Sequence, residues 1–142
     1  MNASRLFESS LRGARLPLLP DETSMDSRLL ALRQGVKVGI VSNWDGRLGH
    51  LLDGLGLGHL IDVVVSSASV GLHKPDPRIF ALACERLDVQ PAQCAHVGDH
   101  LYSDILGARA AGLHAVMIDR AGTGCPSSVA CIRTLDELEG AL

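Results

Sequence analysis

The sequence predicts an α/β domain built on a parallel sheet with helices on both faces. From Pro20 onward, helical patterns alternate with short apolar runs rich in β-branched residues. Parallel strands need a crossover long enough to hold a helix, and the intervals between these runs are of that length. Polar residues follow three of the runs directly, which places candidate ligand-binding groups at one edge of the predicted sheet.

In the first half of the chain, two helices and two strands are predicted. Residues 21–35 begin with acidic residues, continue with leucines and end at Gly35, as is typical of a helix. A strand follows at 36–41, and a glycine-terminated helix is predicted at 46–58. A second strand is predicted at 61–67, where three valines occur together.

In the second half, Asp76 can cap a helix that has Pro77 at its first position. Strands are predicted at 94–98 and 114–118, with a helix between them inside 101–112. Thr134 and Glu137 have the spacing of a capping box for a final helix that runs to Leu142.

The composition indicates a small globular protein that acts on small molecules. A chain of 142 residues fits one domain, and 46% hydrophobic with only 3% aromatic residues predicts an aliphatic core. The net charge of −3 without a basic run argues against nucleic acid and anionic membranes as partners. No apolar stretch is long enough for a membrane span.

A cytoplasmic protein is expected. The segment 1–16 is rich in Arg and Ser, but an ordinary amphipathic helix explains this better than an organelle transit peptide. The four cysteines form no CxxC pair and have no zinc-type spacing, so reduced thiols with a structural role are predicted.

Hydroxyl and ammonium groups follow the first two strands. Ser42 and Asn43 come directly after the first, where a hydroxyl and two amides near the start of a helix suit a phosphate oxygen. Lys74 follows the second strand and stands before a helix that starts at a proline, where its charge could neutralise a phosphoryl group or orient a carboxylate. Taken singly, these residues are more often turn formers, caps or surface groups.

Two carboxylates, Asp99 and Asp104, follow the third strand, in the stretch VGDHLYSDILGARAAG at 97–112. Magnesium takes an octahedral shell of oxygens and is commonly held by one or two carboxylates plus substrate phosphate, so this pair predicts a magnesium site. The alternative is an ordinary helix cap and first-turn acid. Because all three groups occur in order, each after its own strand, a metal-supported phosphoryl site is the favoured hypothesis.

These residues resemble the haloacid dehalogenase superfamily, specifically its capped subfamily I, whose members are mostly magnesium-dependent phosphohydrolases on a Rossmann-like sheet. Ser42 and Asn43 match the second family motif, Lys74 in KPDPRIF the third, and GDHLYSD the fourth. The likeness runs from about Pro20 to Arg120, with a family-like tail to Leu142.

The resemblance implies a role for each matched residue. Ser42 would hydrogen-bond the transferring phosphoryl group, and Lys74 would steady that group and the nucleophile. Asp99 would bind magnesium directly, whereas Asp104 would support either the metal or Lys74. Because members that cleave carbon-halogen bonds lack the acidic pair, the resemblance implies phosphate-ester hydrolysis.

The first family motif, DxDxT, is absent: no two aspartates of the chain are separated by one residue. In the family the first Asp of that motif is the nucleophile, and it ends a leading strand that lies mid-sheet. The interpretation is therefore a core at 20–142, with 1–19 as a remnant of the cap or a linker helix. The first central strand and most of the helical cap would be missing from this truncated chain.

Two functions of different classes follow. The first is a phosphatase-type hydrolase by descent, whose nucleophile must come from elsewhere. The second is a non-catalytic remnant that binds magnesium and a small phosphorylated ligand, or that associates with itself through strands left unpaired by the missing one.

Overall fold

The computed structural model of the protein describes residues 4–7, as backbone, and 36–142. Six strands are present in these ranges: β1 (Ser4–Phe7), β2 (Val38–Ser42), β3 (Val63–Ser66), β4 (Cys94–Gly98), β5 (His114–Ile118) and β6 (Ala130–Ile132). They form one sheet in the order β3-β2-β1-β4-β5-β6, and every neighbouring pair is parallel. The predicted α/β class with a parallel sheet is confirmed.

In the described residues, α-helices follow β2, β3, β4 and β6 along the chain. The α-helices of the described residues are α1 (Leu48–Gly54), α2 (Ser67–Val70), α3 (Pro77–Leu87), α4 (Gly107–Ala110) and α5 (Leu138–Ala141). A six-residue π-helix, Leu101–Leu106, runs directly into α4. Single 3₁₀ turns occupy Gly58–Leu60, Pro91–Gln93 and Leu135–Glu137. Within the ranges that the structure describes, no helix is both long and apolar enough to cross a lipid bilayer.

The core has two parts, one on each face of the sheet. Because successive side chains of a strand point to opposite faces, Val41 of β2 packs with α3 residues such as Phe80, whereas Val38 and Ile40 pack with Leu48 of α1. The side chains of β5 alternate in the same way: Ala115 lies on the face with Val41, and Val116 lies on the face with Val38. Both faces of the sheet are therefore covered, as predicted.

The described elements agree with most of the predicted ones. Strands β4 and β5 occupy the predicted residues, and α3 begins at Pro77, where the Asp76 carboxylate accepts the Arg78 amide at 2.9 Å. The prediction of a capping box at the C-terminal helix is wrong. The Glu137 carboxylate accepts a hydrogen bond from the Arg133 amide at 3.1 Å, and the Thr134 side chain makes no capping hydrogen bond. The helix predicted at 21–35 lies outside the described residues.

The structure corrects the prediction of a missing central strand. Ser4–Phe7 forms β1, which pairs in parallel with β2 on one side and β4 on the other. These residues are therefore part of the sheet, not of a cap or linker remnant. Along β1 neither β2 nor β4 is left unpaired, which removes the basis for self-association through a central gap.

All four cysteines were predicted to be reduced thiols, and for two of them this prediction is wrong. Cys125 and Cys131 form a disulfide that closes the loop between β5 and β6, and their Cα atoms are 6.2 Å apart. Cys84 and Cys94 are free and buried, and their sulfurs are 3.6 Å apart. The sequence spacing of the cysteines does not show which two form the disulfide, since only the fold brings β6 beside β5.

Asp119 organises the same loop. It follows β5, and its carboxylate accepts hydrogen bonds from the Thr123 amide and hydroxyl at 3.1 and 3.0 Å and from the Gly124 amide at 2.7 Å. The hydrogen bonds from the Gly124 and Thr123 amides hold the pKa of Asp119 below its ordinary value of 3.8. The ionised carboxylate therefore stabilises the turn.

We expect Asp119→Asn to lower the stability of the protein in a pH-dependent way. A carboxyl whose pKa is depressed by folding adds stability that is present above its unfolded pKa and lost as the pH falls through the folded value. The difference between wild type and variant should therefore be largest at neutral pH and shrink below pH 3.8. Urea unfolding at several pH values measures it.

Thr123→Val is the matched control, because it removes the hydroxyl donor and keeps both amide donors. It should cost less stability than Asp119→Asn at neutral pH. A difference between wild type and Asp119→Asn that is the same at every pH would contradict this role for the charge.

Candidate functional site

The predicted site residues meet at the carboxyl edge of the sheet. Ser42 is the last residue of β2, and Asp99 directly follows β4. Central β1 lies between these strands, and the strand order reverses between β1 and β4. Ligands of open α/β sheets bind at such a reversal, outside the carboxyl ends of the strands.

Lys74 is held in place by Asn43 through its main chain. The Lys74 amide donates to Asn43 Oδ1 at 2.8 Å, and Asn43 Nδ2 donates back to the Lys74 carbonyl at 3.1 Å. The peptide bond from Lys74 to Pro75 is cis. This reciprocal pair ties the segment before α3 to the end of β2.

The Lys74 side chain is buried against Asp104. Its Nζ lies 2.8 Å from Asp104 Oδ1, and each side chain is only 1% exposed. Burial lowers the pKa of Lys74 to about 7, an effect that the negative charge of Asp99 opposes. Burial also raises the pKa of Asp104 to about 6, against hydrogen bonds from the His100 and Asp99 amides.

Asp104 receives further hydrogen bonds that fix its carboxylate. The His100 amide donates to Oδ2 at 3.0 Å, and His96 Nε2 lies 3.3 Å from Oδ1. His96 is fully buried in β4, and its ring meets Phe80 edge to face at a centroid distance of 4.9 Å. Because burial and the nearby Lys74 charge lower the pKa of His96 well below its ordinary value, its ring is neutral and can donate Nε2–H to the carboxylate.

Two glycines allow this close packing. A methyl group at Gly98 would overlap the Asp104 carboxyl group. One at Gly107 would lie 2.9 Å from the backbone of Pro75 and 2.8 Å from the Phe80 ring. Gly98 therefore admits the acid beneath the end of β4, and Gly107 lets α4 approach the residue next to Lys74.

Asp99 is the exposed carboxylate of the site, whereas Ser42 is 3% exposed at the end of β2. A carboxylate that is open to solvent fits Mg²⁺, which takes oxygen ligands and keeps several waters. Asp104 has both oxygens in hydrogen bonds to Lys74 and the His100 amide. The donor set therefore fits a magnesium ion held chiefly through Asp99.

Sequence reasoning selected residues that the fold brings together, but it missed how they are connected. It expected the Ser42 and Asn43 amides near the start of a helix, whereas α1 begins only at Leu48. It did not identify the two hydrogen bonds between the Asn43 side chain and the Lys74 main chain, or the contact of His96 with Asp104. The one available signal for His96 was a polar residue inside an otherwise apolar strand.

Comparisons with known proteins agree with this architecture. A sequence profile of haloacid dehalogenase-like hydrolases matches residues 14–112. The mouse haloacid dehalogenase-like hydrolase domain-containing protein 3 is 46% identical over 86 residues, which are 61% of this chain and 34% of that protein. A phosphoserine phosphatase from Thermus thermophilus is 38% identical over 120 residues, 83% of this chain and 47% of that protein.

A crystal structure of a phosphatase of the same superfamily from Thermococcus onnurineus superposes with a TM-score of 0.75 at 38% identity. The match covers 80% of this chain and 54% of that one. The chain thus spans between about a third and a half of the length of these relatives. On the profile match and these similarities, the chain belongs to the haloacid dehalogenase-like hydrolase family.

Proposed function

We propose that this chain forms a phosphatase-type site that binds a small phosphate monoester together with Mg²⁺. Ser42 and the Asn43 amide would donate to phosphate oxygens, and Lys74 would neutralise part of the phosphate charge. Asp99 would hold the metal, which supplies further positive charge to the phosphate oxygens when bound. Asp104 would act through Lys74 rather than as the main metal ligand.

The buried Lys74–Asp104 pair is the observation that carries this proposal. Removing an ammonium and a carboxylate from water costs several kcal/mol for each ion, so the pair is a poor choice for stability alone. It lies at the carboxyl edge of the sheet, close enough to Asp99 for that charge to affect the pKa of Lys74. An anionic ligand there would favour the charged form of the lysine.

The proposal assigns binding, not phosphoryl transfer, to the residues of this chain. Family members transfer the phosphoryl group to an aspartate that follows the leading strand. Here β1 ends at Phe7, and the next three residues are Glu8, Ser9 and Ser10, so the DxDxT sequence is not found there. Without that carboxylate, the charges at the sheet edge have no aspartyl-phosphate step to assist.

A second candidate function is hydrolysis of the ester. The names of two relatives favour it: the Thermus phosphoserine phosphatase, and a glyceraldehyde 3-phosphate phosphatase from Methanopyrus kandleri that is 42% identical over 94 residues. Both candidates use the same phosphate and metal contacts. They differ in whether turnover follows binding.

We expect Asp99→Asn to weaken binding of phenyl phosphate in the presence of Mg²⁺ about tenfold or more, because the amide cannot replace a carboxylate ligand. Isothermal titration calorimetry with and without a chelator measures this. Asp53→Asn on α1 is the matched control, since Asp53 is an exposed aspartate outside the site. Equal affinities for wild type and Asp99→Asn would refute the metal role of Asp99.

We expect no Mg²⁺-dependent turnover of p-nitrophenyl phosphate by the pure, folded chain, because the DxDxT nucleophile is absent. Release of p-nitrophenolate is followed with wild type and Asp99→Ala side by side. Turnover that Asp99→Ala abolishes would replace the binding function with the hydrolytic one. Equal turnover in both proteins would point to a contaminating phosphatase, and the binding assay would then decide alone.

Breaking the buried pair should destabilise the protein strongly. Lys74→Met leaves Asp104 buried without its partner, which typically costs about 3–5 kcal/mol. The double variant Lys74→Met/Asp104→Leu should recover most of this loss, because it removes both buried charges. Urea unfolding of Lys74→Met, Asp104→Leu and the double variant gives the coupling free energy.

Lys37→Met is the matched control for loss of a lysine. Lys37 is exposed and donates to the Leu87 carbonyl at 2.6 Å, at the end of α3. Its removal should cost about 1 kcal/mol or less. A Lys74→Met variant no less stable than Lys37→Met would show that the Lys74–Asp104 contact has little energetic weight.

A further inference from the structure

A second cluster of metal-ligating groups lies in the β5–β6 loop, among residues that the phosphate site does not use. It consists of Asp119, Cys125 and Cys131, whose ligand atoms all lie within 4.8 Å of one another. Asp119 directly follows β5, Cys125 lies in the loop, and Cys131 is the middle residue of β6. The fold, not the sequence spacing, brings the three together.

We infer that the reduced form of this loop is a Zn²⁺ site in which Asp119 and the thiolates of Cys125 and Cys131 are the protein ligands. Zinc binds thiolate sulfur at about 2.3 Å and carboxylate oxygen at about 2.0–2.2 Å, so a tetrahedral site holds its ligand atoms roughly 3.5–3.8 Å apart. The ligand atoms of the cluster lie within 4.8 Å of one another, so after the S–S bond breaks the sulfurs would move apart and the carboxylate would shift by up to about 1 Å to reach these distances. Water would complete the tetrahedron.

Asp119 has the surroundings of a metal-ligating carboxylate. Its oxygens accept hydrogen bonds from Thr123 and Gly124, which fix the orientation of the group. Ligating carboxylates are commonly held by such outer hydrogen bonds. Each carboxylate oxygen has two acceptor sites, so these bonds are compatible with a bond to a metal.

The two sulfurs are accessible for reduction of the disulfide and for binding of the metal ion, which are the two steps that form the site. Cys131 is exposed on β6, the last strand of the sheet order, and Cys125 is half-buried. Cys84 and Cys94 are instead buried between α3 and β4. A reductant can therefore reach the loop disulfide, and a metal ion should reach the loop thiols more readily than the buried thiols.

Oxidation state decides whether the site exists. A phosphine reductant breaks the S–S bond: the phosphine and one water become a phosphine oxide, and each sulfur gains a hydrogen as a thiol. Zn²⁺ then replaces the two thiol protons, which are released to solvent. In the disulfide form, neither sulfur is a thiolate, and Asp119 alone does not make a zinc site.

The experiment uses Co²⁺ as a spectroscopic probe, because thiolate ligation gives a near-ultraviolet charge-transfer band. Wild type is reduced with a phosphine, freed of reductant without oxygen and titrated. We expect a band that saturates at one equivalent and disappears when Zn²⁺ displaces Co²⁺. The oxidised wild type is the matched control and should show no band.

Variants assign the ligands. Cys125→Ser and Cys131→Ser keep Cys84 and Cys94 and should lose the band, while Asp119→Asn should bind Co²⁺ about tenfold or more weakly. Asp99→Asn should keep the band, which separates this site from the proposed magnesium site. A band that persists in Cys125→Ser, or its absence in folded, reduced wild type, would overturn the assignment.

Circular dichroism covers the case in which reduction unfolds the chain. Addition of Zn²⁺ to the reduced wild type should then restore the folded spectrum, because metal binding to a site formed only in the native state favours folding. A reduced chain that stays unfolded with Zn²⁺ would equally overturn the assignment.

Discussion

The buried ion pair between Lys74 and Asp104 is the contact on which the candidate site depends. Two opposite charges, each almost inaccessible to water, lie 2.8 Å apart beneath the carboxyl edge of the sheet. Their mutual attraction must offset two desolvation costs, which requires close geometry and further hydrogen bonds. Gly98 and the His100 amide at the end of β4, and Asn43 after β2, meet these requirements.

The pair also explains why some neighbouring residues have to be small or neutral. Gly98 leaves room for the Asp104 carboxyl group, and Gly107 lets its helix approach Pro75. His96 contributes a neutral ring, because burial and, to a lesser extent, the positive charge of Lys74 lower its pKa. The π-helix at Leu101–Leu106 places Asp104 under Gly98 while Asp99, five positions earlier, stays in solvent.

Sequence patterns predicted most of the repeating elements, because these depend on short-range signals, and the candidate site residues that the sequence singled out lie at one edge of the sheet. The runs at 94–98 and 114–118 are apolar except for His96 and His114, as expected for strands largely buried on both faces, and Asp76 with Pro77 marks the start of α3. The strands β1 and β6 were missed. They have four and three residues, too few for a period of two to stand out, and β1 contains the polar Ser4 and Arg5.

The missed contacts share a different cause, since they depend on which strands become neighbours. Lys74 and Asp104 are thirty positions apart, and Asn43 reaches Lys74 across thirty-one. The disulfide is local in sequence, but its proximity to Asp119 follows from the pairing of β5 with β6. Spacing rules for CxxC or DxDxT motifs describe ligands on one segment and do not detect groups that only the sheet brings together.

The central strand separates the question of binding from that of catalysis. With β1 between β2 and β4, the sheet is continuous, so the ends of β2 and β4 hold Ser42 and Asp99 at fixed positions whatever residue follows Phe7. In the proposed function, affinity for a phosphate and a metal would depend on those positions and on the buried lysine. Phosphoryl transfer depends in addition on a nucleophile, for which the sequence after Phe7 has Glu8, Ser9 and Ser10 in place of DxDxT. The proposed ligand site is thus independent of turnover, because the groups that would recognise the phosphate and the group that would react with it come from different segments of the chain.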